Sequence, residues 1–160
     1  ETHQGFSDDS SWARGQSWAV YGLALCYHYT HEEAILPLFE RVTKYFIDHL
    51  PEDYVPYWDL IFSDGSCEPR DTSAAAIAAC GILEMEKYYH NQEFLDIAKK
   101  MMSSLSEKYT TVDYLQSNGI IKDGMYSRKH GHKSECTSWG DYFYLEALMR
   151  MKKSDWKIYW

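Results

Sequence analysis

At 160 residues, 45% of them hydrophobic and 16% aromatic, the chain has the size of one domain with a sizeable core. Its net charge of −8 makes nucleic acid and anionic membrane poor partners, and no apolar run approaches the length of a membrane span. Fourteen tyrosines and six tryptophans are many for this size, and clefts that bind carbohydrate are one place such side chains go. The chain opens at Glu1, with neither a methionine nor a signal-peptide pattern, so its natural N-terminus is expected elsewhere. Four cysteines form no CxxC pair; Cys26 and Cys80 lie in apolar helical stretches and are expected to be buried thiols. The compartment, bacterial cytoplasm or periplasm, is left open.

The first informative stretch is THQGFSDDSSWARGQSW, Thr2 to Trp18. Asp8, Asp9 and Ser10 can cap a helix predicted from Ser11 to Tyr29, with Trp18, Tyr21, Gly22 and Leu25 in three-four spacing. Arg14 and Trp18 are then one turn apart on one face, with Trp12 near the helix start and Gln4 in the loop before it. A planar guanidinium can hold a carboxylate through two parallel hydrogen bonds. An indole offers an apolar face with one donor at its edge, which suits the C–H face of a sugar. Together these residues describe a pocket for a small acidic sugar. The plainer alternative is core filler with a surface ion pair.

Thr30 and Glu33 match a capping box for a second helix running to about Leu50, with Ile35, Leu38, Phe39, Val42, Phe46 and Ile47 as its apolar stripe. Pro37 falls well inside that helix and predicts a kink. Residues Pro51 to Arg70 read as a long loop, with a short extended piece at PYWDL. Asp71 and Thr72 can cap an alanine-rich helix to about Tyr89, and Arg70 with Asp71 reads as a local ion pair. Asn91 can cap a fourth helix to about Tyr109, with Phe94, Leu95, Ala98, Met102 and Leu105 on one side. Residues 110–137 are loop-like, with a short β-ribbon pairing Gly119-Ile120-Ile121 with Gly124-Met125-Tyr126. The last helix, Ser138 to Lys152, is predicted to turn Tyr142, Leu145, Leu148 and Met149 inward, before an irregular tail SDWKIYW.

There is an internal echo. Ala19-Val20-Tyr21-Gly22-Leu23 returns as Ala78-Ala79-Cys80-Gly81-Ile82 at an offset of 59, and Leu83-Glu84-Met85 returns as Leu145-Glu146-Ala147 at an offset of 62. A helical hairpin repeating about every sixty residues predicts an all-α fold of the α/α-toroid kind, each hairpin placing its first helix inside the ring. Two hairpins and a final inner helix are too few to close a six-hairpin ring.

The word spanning Thr2 to Trp18 resembles the signature of unsaturated glucuronyl hydrolases, glycoside hydrolase family 88: a His-Gln-Gly-aromatic loop, an Asp-Asp pair, then Trp-Ala-Arg-Gly-Gln-x-Trp. EPRDTSAAAIAACGILEM at 68–85 and WGDYFYLEALMR at 139–150 are similar to two further helices of that family, in the same order. The neighbouring family 105, which acts on unsaturated rhamnogalacturonan fragments, usually has Asn where this chain has Gln16 and lacks the His3-Gln4 loop.

The resemblance implies that residues 1–160 are one helical domain forming the C-terminal part of an (α/α)6 barrel, without its N-terminal half. It implies hydration of the C4=C5 double bond of an unsaturated uronic acid at the non-reducing end of lyase-generated oligosaccharides. Gln4, Trp12, Arg14 and Trp18 match family positions that line the unsaturated-sugar subsite. The family's catalytic and helper aspartates lie upstream, so no catalytic residue is expected here, and Asp8 and Asp9 are read as caps and loop ties. No cofactor or metal is implied.

Where family members carry a Ser-x-x-Ser-x-Lys loop against sulfated sugars, this chain has MYSRKHGHKSEC, in which Ser127 aligns but a second serine does not. His130, His132 and Cys136 lack a fourth ligand at usable spacing, so no metal site is expected there. A non-catalytic helical domain that binds acidic sugars or a protein is the alternative from another class.

Overall fold

A computed structural model describes residues 3–153 and 155–158. Thr2 of the first motif, and Ser154, Tyr159 and Trp160 of the predicted tail, lie outside the described residues. Five α-helices are present: α1 (Ala13–Thr30), α2 (Ile35–Asp48), α3 (Thr72–Met85), α4 (Gln92–Lys108) and α5 (Ser138–Lys152). A single 3-10 turn at Arg128–His130 lies in the loop before α5. Among the described residues there is no strand beyond isolated bridges, and no helix is long and apolar enough to cross a membrane.

The predicted toroid arrangement is present. Helix α3 packs between α1 and α5, with α2 behind α1 and α4 behind α3. Side chains near the start of α3 meet the starts of α1 and α5 (Ser73 with Arg14 and Trp139), and those near its end meet their ends (Glu84 with His28 and Arg150). The three inner helices therefore run parallel, and each outer helix returns the chain to the face where the next begins. The Glu84 and Glu146 echo marks one repeated level of this ring.

Nearly every residue of α3 is buried, which its composition permits: TSAAAIAACGILEM presents small or apolar side chains all round. A Cβ on Gly81 would stand 2.8 Å from the Cα of Tyr21, so the backbones of α1 and α3 touch at a point where no side chain fits. Gly22, its partner in the echo, has nothing within 4 Å.

Several local expectations need correction. Neither Asp8, Asp9 nor Ser10 caps α1; Trp12 occupies the cap position without a side-chain bond, and Ser10 Oγ instead donates to Asp59 Oδ2 at 2.8 Å. The Thr30–Glu33 capping box does not form, because α1 continues through Thr30, whose hydroxyl donates back to the Cys26 carbonyl, and Glu33 accepts from Tyr27. With α2 beginning at Ile35, Pro37 lies in its first turn, where a missing N–H costs no helical bond, so no kink is required. Cys26 is exposed whereas Cys80 is buried. Arg70 pairs with Asp53 at 3.3 Å and not with Asp71, and its guanidinium lies 3.9 Å from the Tyr57 ring centroid. The two predicted ribbon segments do not pair with each other: Ile121 bridges Thr110, and Gly124 bridges Glu135.

On α5 the buried face is rotated by about one residue from the predicted stripe. Phe143, Ala147 and Arg150 are buried, while Tyr142, Leu145 and Leu148 are exposed. The helix is apolar on both sides, so spacing alone cannot choose. Its inner side contains charges that neutralise one another. Arg150 Nε donates to Glu146 Oε1 at 2.8 Å, the same guanidinium bonds Glu84, and Tyr21 Oη donates to Glu146 at 3.1 Å. Asn91 does cap α4, accepting from Phe94 N at 3.1 Å.

Burial pulls the Glu84 carboxyl upward, but the Lys87 ammonium and the Arg150 guanidinium outweigh it and hold it below the ordinary glutamate range. A carboxylate depressed in the folded state adds stability that is present near neutrality and is lost as pH falls through its folded pKa. Glu84→Gln is therefore expected to lower the chemical-denaturation midpoint at pH 7, and the gap from the unsubstituted protein should narrow as the pH is taken below about 4. A gap of constant size across that range would count against the charged network.

Candidate functional site

The starts of the three inner helices converge on one face of the fold, and the second residue of each faces the others: Arg14 on α1, Ser73 on α3 and Trp139 on α5. Arg14 is at the centre and only 4% exposed. Its Nη1 lies 3.2 Å from Asp71 Oδ2 and donates to Ser73 Oγ at 3.3 Å; its Nη2 donates to the Tyr126 carbonyl at 2.7 Å. Two indoles flank the guanidinium, Trp12 at 4.8 Å and Trp139 at 5.1 Å, within the range of cation–π attraction. Trp139 Nε1 donates to Ser73 Oγ at 3.2 Å, so the hydroxyl joins all three helices.

Asp71 holds the cap position of α3 yet does not cap it. Its fully buried carboxylate accepts from Ser73 Oγ at 2.5 Å and faces Arg14. Burial pushes the Asp71 carboxyl up, against the opposing pull of Arg14, Ser73 and the Met125 N–H. Burial also lowers the Arg14 guanidinium, which Asp71 opposes. Neither charge has water to fall back on, so each depends on the other.

The approach to α1 is held by a second buried carboxylate. Asp59, in the PYWDL piece, accepts from Phe6 N and from Ser10 Oγ, both at 2.8 Å, and from Ile61 N at 3.1 Å. Backbone bonds from Ala13 N to Trp58 O (3.1 Å) and from Leu60 N to Ser11 O (2.8 Å) join this extended piece to the residues around Trp12. The buried loop thus satisfies its own backbone while positioning the His3–Phe6 turn. Gly15 sits directly under Trp12: a Cβ there would come within 2.8 Å of Trp12 Cε3.

Of the four residues singled out in the sequence, Trp12 and Arg14 are in contact. Trp18 stands one turn further along α1, 38% exposed, its ring 5.2 Å from Phe143 on the side that α1 and α5 share. Gln4 lies in the Asp59-held loop, and its Oε1 is buried without a hydrogen-bond partner. The structure adds Asp71, Ser73, Trp139 and Asp59. The Arg14 to Ser73 spacing of 59 residues equals the internal echo and was the one signal for that pairing in the sequence.

No group of three metal-ligating side chains occurs among the described residues. His130 bonds Ser127 Oγ at 2.5 Å and lies 5.3 Å from the His3 ring, and His132 is 3.7 Å from Glu135.

A family model described as Glycosyl Hydrolase Family 88 matches residues 2–154. The chain is 48% identical, over 99% of its length, to an unsaturated chondroitin disaccharide hydrolase of Streptococcus pneumoniae, covering 41% of that protein. It is 39% identical, over 95% of its length, to an unsaturated glucuronyl hydrolase of Bacillus sp. strain GL1, covering 42% of it. Among solved structures, it matches a Streptococcus agalactiae unsaturated glucuronyl hydrolase mutant complexed with dGlcA-GalNAc6S, with a TM-score of 0.93 and 46% identity over 100% of this chain and 44% of the other. The chain thus spans about two-fifths of the length of the curated relatives it matches.

The Arg14–Asp71 pair makes a direct prediction. Removing one partner strands a buried charge, so Asp71→Ala should cost about 3–5 kcal/mol of stability in denaturant melts. The double replacement Arg14→Met with Asp71→Leu should cost less than either single change.

Proposed function

The chain belongs to glycosyl hydrolase family 88, and on that premise we propose that the complete protein hydrates the C4=C5 double bond of an unsaturated uronic acid at the non-reducing end of an oligosaccharide. In this reading the present chain supplies one side of the substrate pocket. The enol ether dictates the chemistry. Protonation at C4 leaves an oxocarbenium-like centre at C5, water adds there, and the resulting hemiketal opens to free the rest of the sugar chain. The proton donor must be a carboxyl held protonated near neutrality. The family resemblance implies that this donor is an aspartate of the part of the protein that this chain does not cover; Asp71 does not take its place, being sealed from solvent and committed to Arg14.

Trp12 and Trp18 would wall the sugar ring, Gln4 would direct its unpartnered Oε1 to a hydroxyl or the attacking water, and Arg14 would set the electrostatics of the uronate end. The observation that carries this assignment is the guanidinium clamped between Trp12 and Trp139 at the joint of three parallel helix starts. Helix N-termini carry partial positive charge and unsatisfied N–H groups, which favour an anion locally. That local field opposes the long-range repulsion that a net charge of −8 exerts on an acidic sugar. The solved relative complexed with dGlcA-GalNAc6S supports a sugar of this class.

We also propose that the ring of helices continues before α1. Gly81 lets α1 approach α3 at backbone distance, and Gly22 repeats that position on α1 with open space in front of it. A further inner helix fits there.

The test is the loss of ultraviolet absorbance of the C=C bond when an unsaturated disaccharide is incubated with the complete protein. Steady decay is expected with the full chain and none with residues 1–160 alone. Arg14→Ala in the full chain should lower kcat/KM at least tenfold, a loss of about 1.4 kcal/mol of transition-state stabilisation. An unchanged kcat/KM would remove Arg14 from the pocket.

A further inference from the structure

Ser73 is fully buried at the second position of α3, where the starts of the three inner helices meet. A serine hydroxyl has one proton to give and two lone pairs to offer. All three are in use here. The proton goes to Asp71 Oδ1 at 2.5 Å, and the lone pairs accept from Arg14 Nη1 at 3.3 Å and from Trp139 Nε1 at 3.2 Å. A guanidinium and an indole can only donate and a carboxylate can only accept, so this order of protons has no alternative.

The ion pair depends on that hydroxyl more than its spacing suggests. Arg14 Nη1 comes within 3.2 Å of Asp71 Oδ2, yet this buried oxygen accepts no hydrogen bond. The guanidinium N–H is turned to Ser73 instead, and the bonded route to the carboxylate runs through the serine to Oδ1. Trp139 is held by the same oxygen, which takes the one donor its ring possesses. Its indole lines a depression of about 320 Å³ together with Tyr142 and Phe143, and the Phe143 ring lies 5.2 Å from that of Trp18.

We infer that Ser73 is a positioning residue for the hydration reaction: without touching the sugar, one hydroxyl fixes the Arg14 guanidinium and the Trp139 indole relative to each other, and so sets the distance between the charged and the aromatic sides of the pocket. This role rests on the pocket assignment under Proposed function and extends it from α1 to the starts of α3 and α5. Asp71 anchors the hydroxyl but makes no bond to the indole. Alanine, which already fills positions 74 to 76, would suit the helix equally well at position 73 and would leave both side chains without their common partner.

The experiment uses the full-length protein, an unsaturated disaccharide, and the variants Ser73→Ala, Ser73→Cys and Trp139→Phe. Cysteine fills the space of serine but bonds weakly, so it separates hydrogen bonding from packing. Ser73→Ala and Ser73→Cys are each expected to lower kcat/KM about tenfold, the scale of a net hydrogen bond or two. The double variant Ser73→Ala with Trp139→Phe should lose less than the product of the two single losses, because both remove the same bond. With isotope-labelled tryptophan, the Trp139 indole N–H resonance, identified by its absence in Trp139→Phe, should shift and exchange faster with water in Ser73→Ala. The resonance of Trp58, bonded to Glu68, should stay in place and report an intact fold. Unchanged kcat/KM in Ser73→Ala, full activity in Ser73→Cys, or single losses that simply multiply would each overturn the role. If the unsubstituted protein left the disaccharide unhydrated, the hydrolase reading would fail by itself. Calorimetric affinity for the disaccharide would then decide whether Ser73 shapes the pocket: weakening by Ser73→Ala supports it, and equal affinity overturns it.

Discussion

A guanidinium and a carboxylate removed from water hold together the part of this fold that bears on function. Arg14 and Asp71 come from the starts of neighbouring helices, and their charges are compensated inside the protein by each other, by a serine hydroxyl and by a backbone carbonyl. Buried pairs of this kind add little net stability over apolar packing, but they tolerate no loss of one member. What they fix here is register. The pair sets how far α1 and α3 are displaced along their axes, and the indoles of Trp12 and Trp139 are stacked against the guanidinium so fixed.

The opposite ends of the same helices use the same device in another form. Glu84, Glu146 and Arg150 join the later turns of α3 and α5, while His28 and Tyr21 reach them from α1. Two charged layers therefore bracket an interior stretch of α3 made mostly of alanine, with Gly81, Cys80 and the larger Ile77 and Ile82. Those small side chains allow backbones to touch but do little to prevent sliding. Specific polar contacts above and below supply the alignment that packing alone leaves loose.

Much of the architecture was legible in the residues: the Asn91 cap, the span of α5, the alanine helix and the sixty-residue echo all corresponded to what folded. The failures have particular causes. Capping residues are recognised by type, but Asp71 faces Arg14 and Ser10 bonds Asp59, distant partners that no local pattern reveals. Periodicity failed on α5 because both of its sides are apolar and the inner one hides Glu146 and Arg150. Trp12, Arg14, Gln4 and Trp18 were singled out through a motif contiguous in the chain, and of these the fold brings Trp12 and Arg14 into contact. Trp139, Ser73 and Asp59 reach the same region from far along the sequence, and only the folded chain brings them there.

The empty position at Gly15 has a consequence for how such a pocket changes over time. The tilt of the Trp12 indole is determined by a hydrogen where other residues carry carbon. Selection at that site acts on an absence: even the smallest side chain would press on the Trp12 ring and require it to move. A side chain at position 15 would therefore reach the Arg14 guanidinium through the ring stacked on it, so the smallest residue in the chain governs the setting of a buried charge.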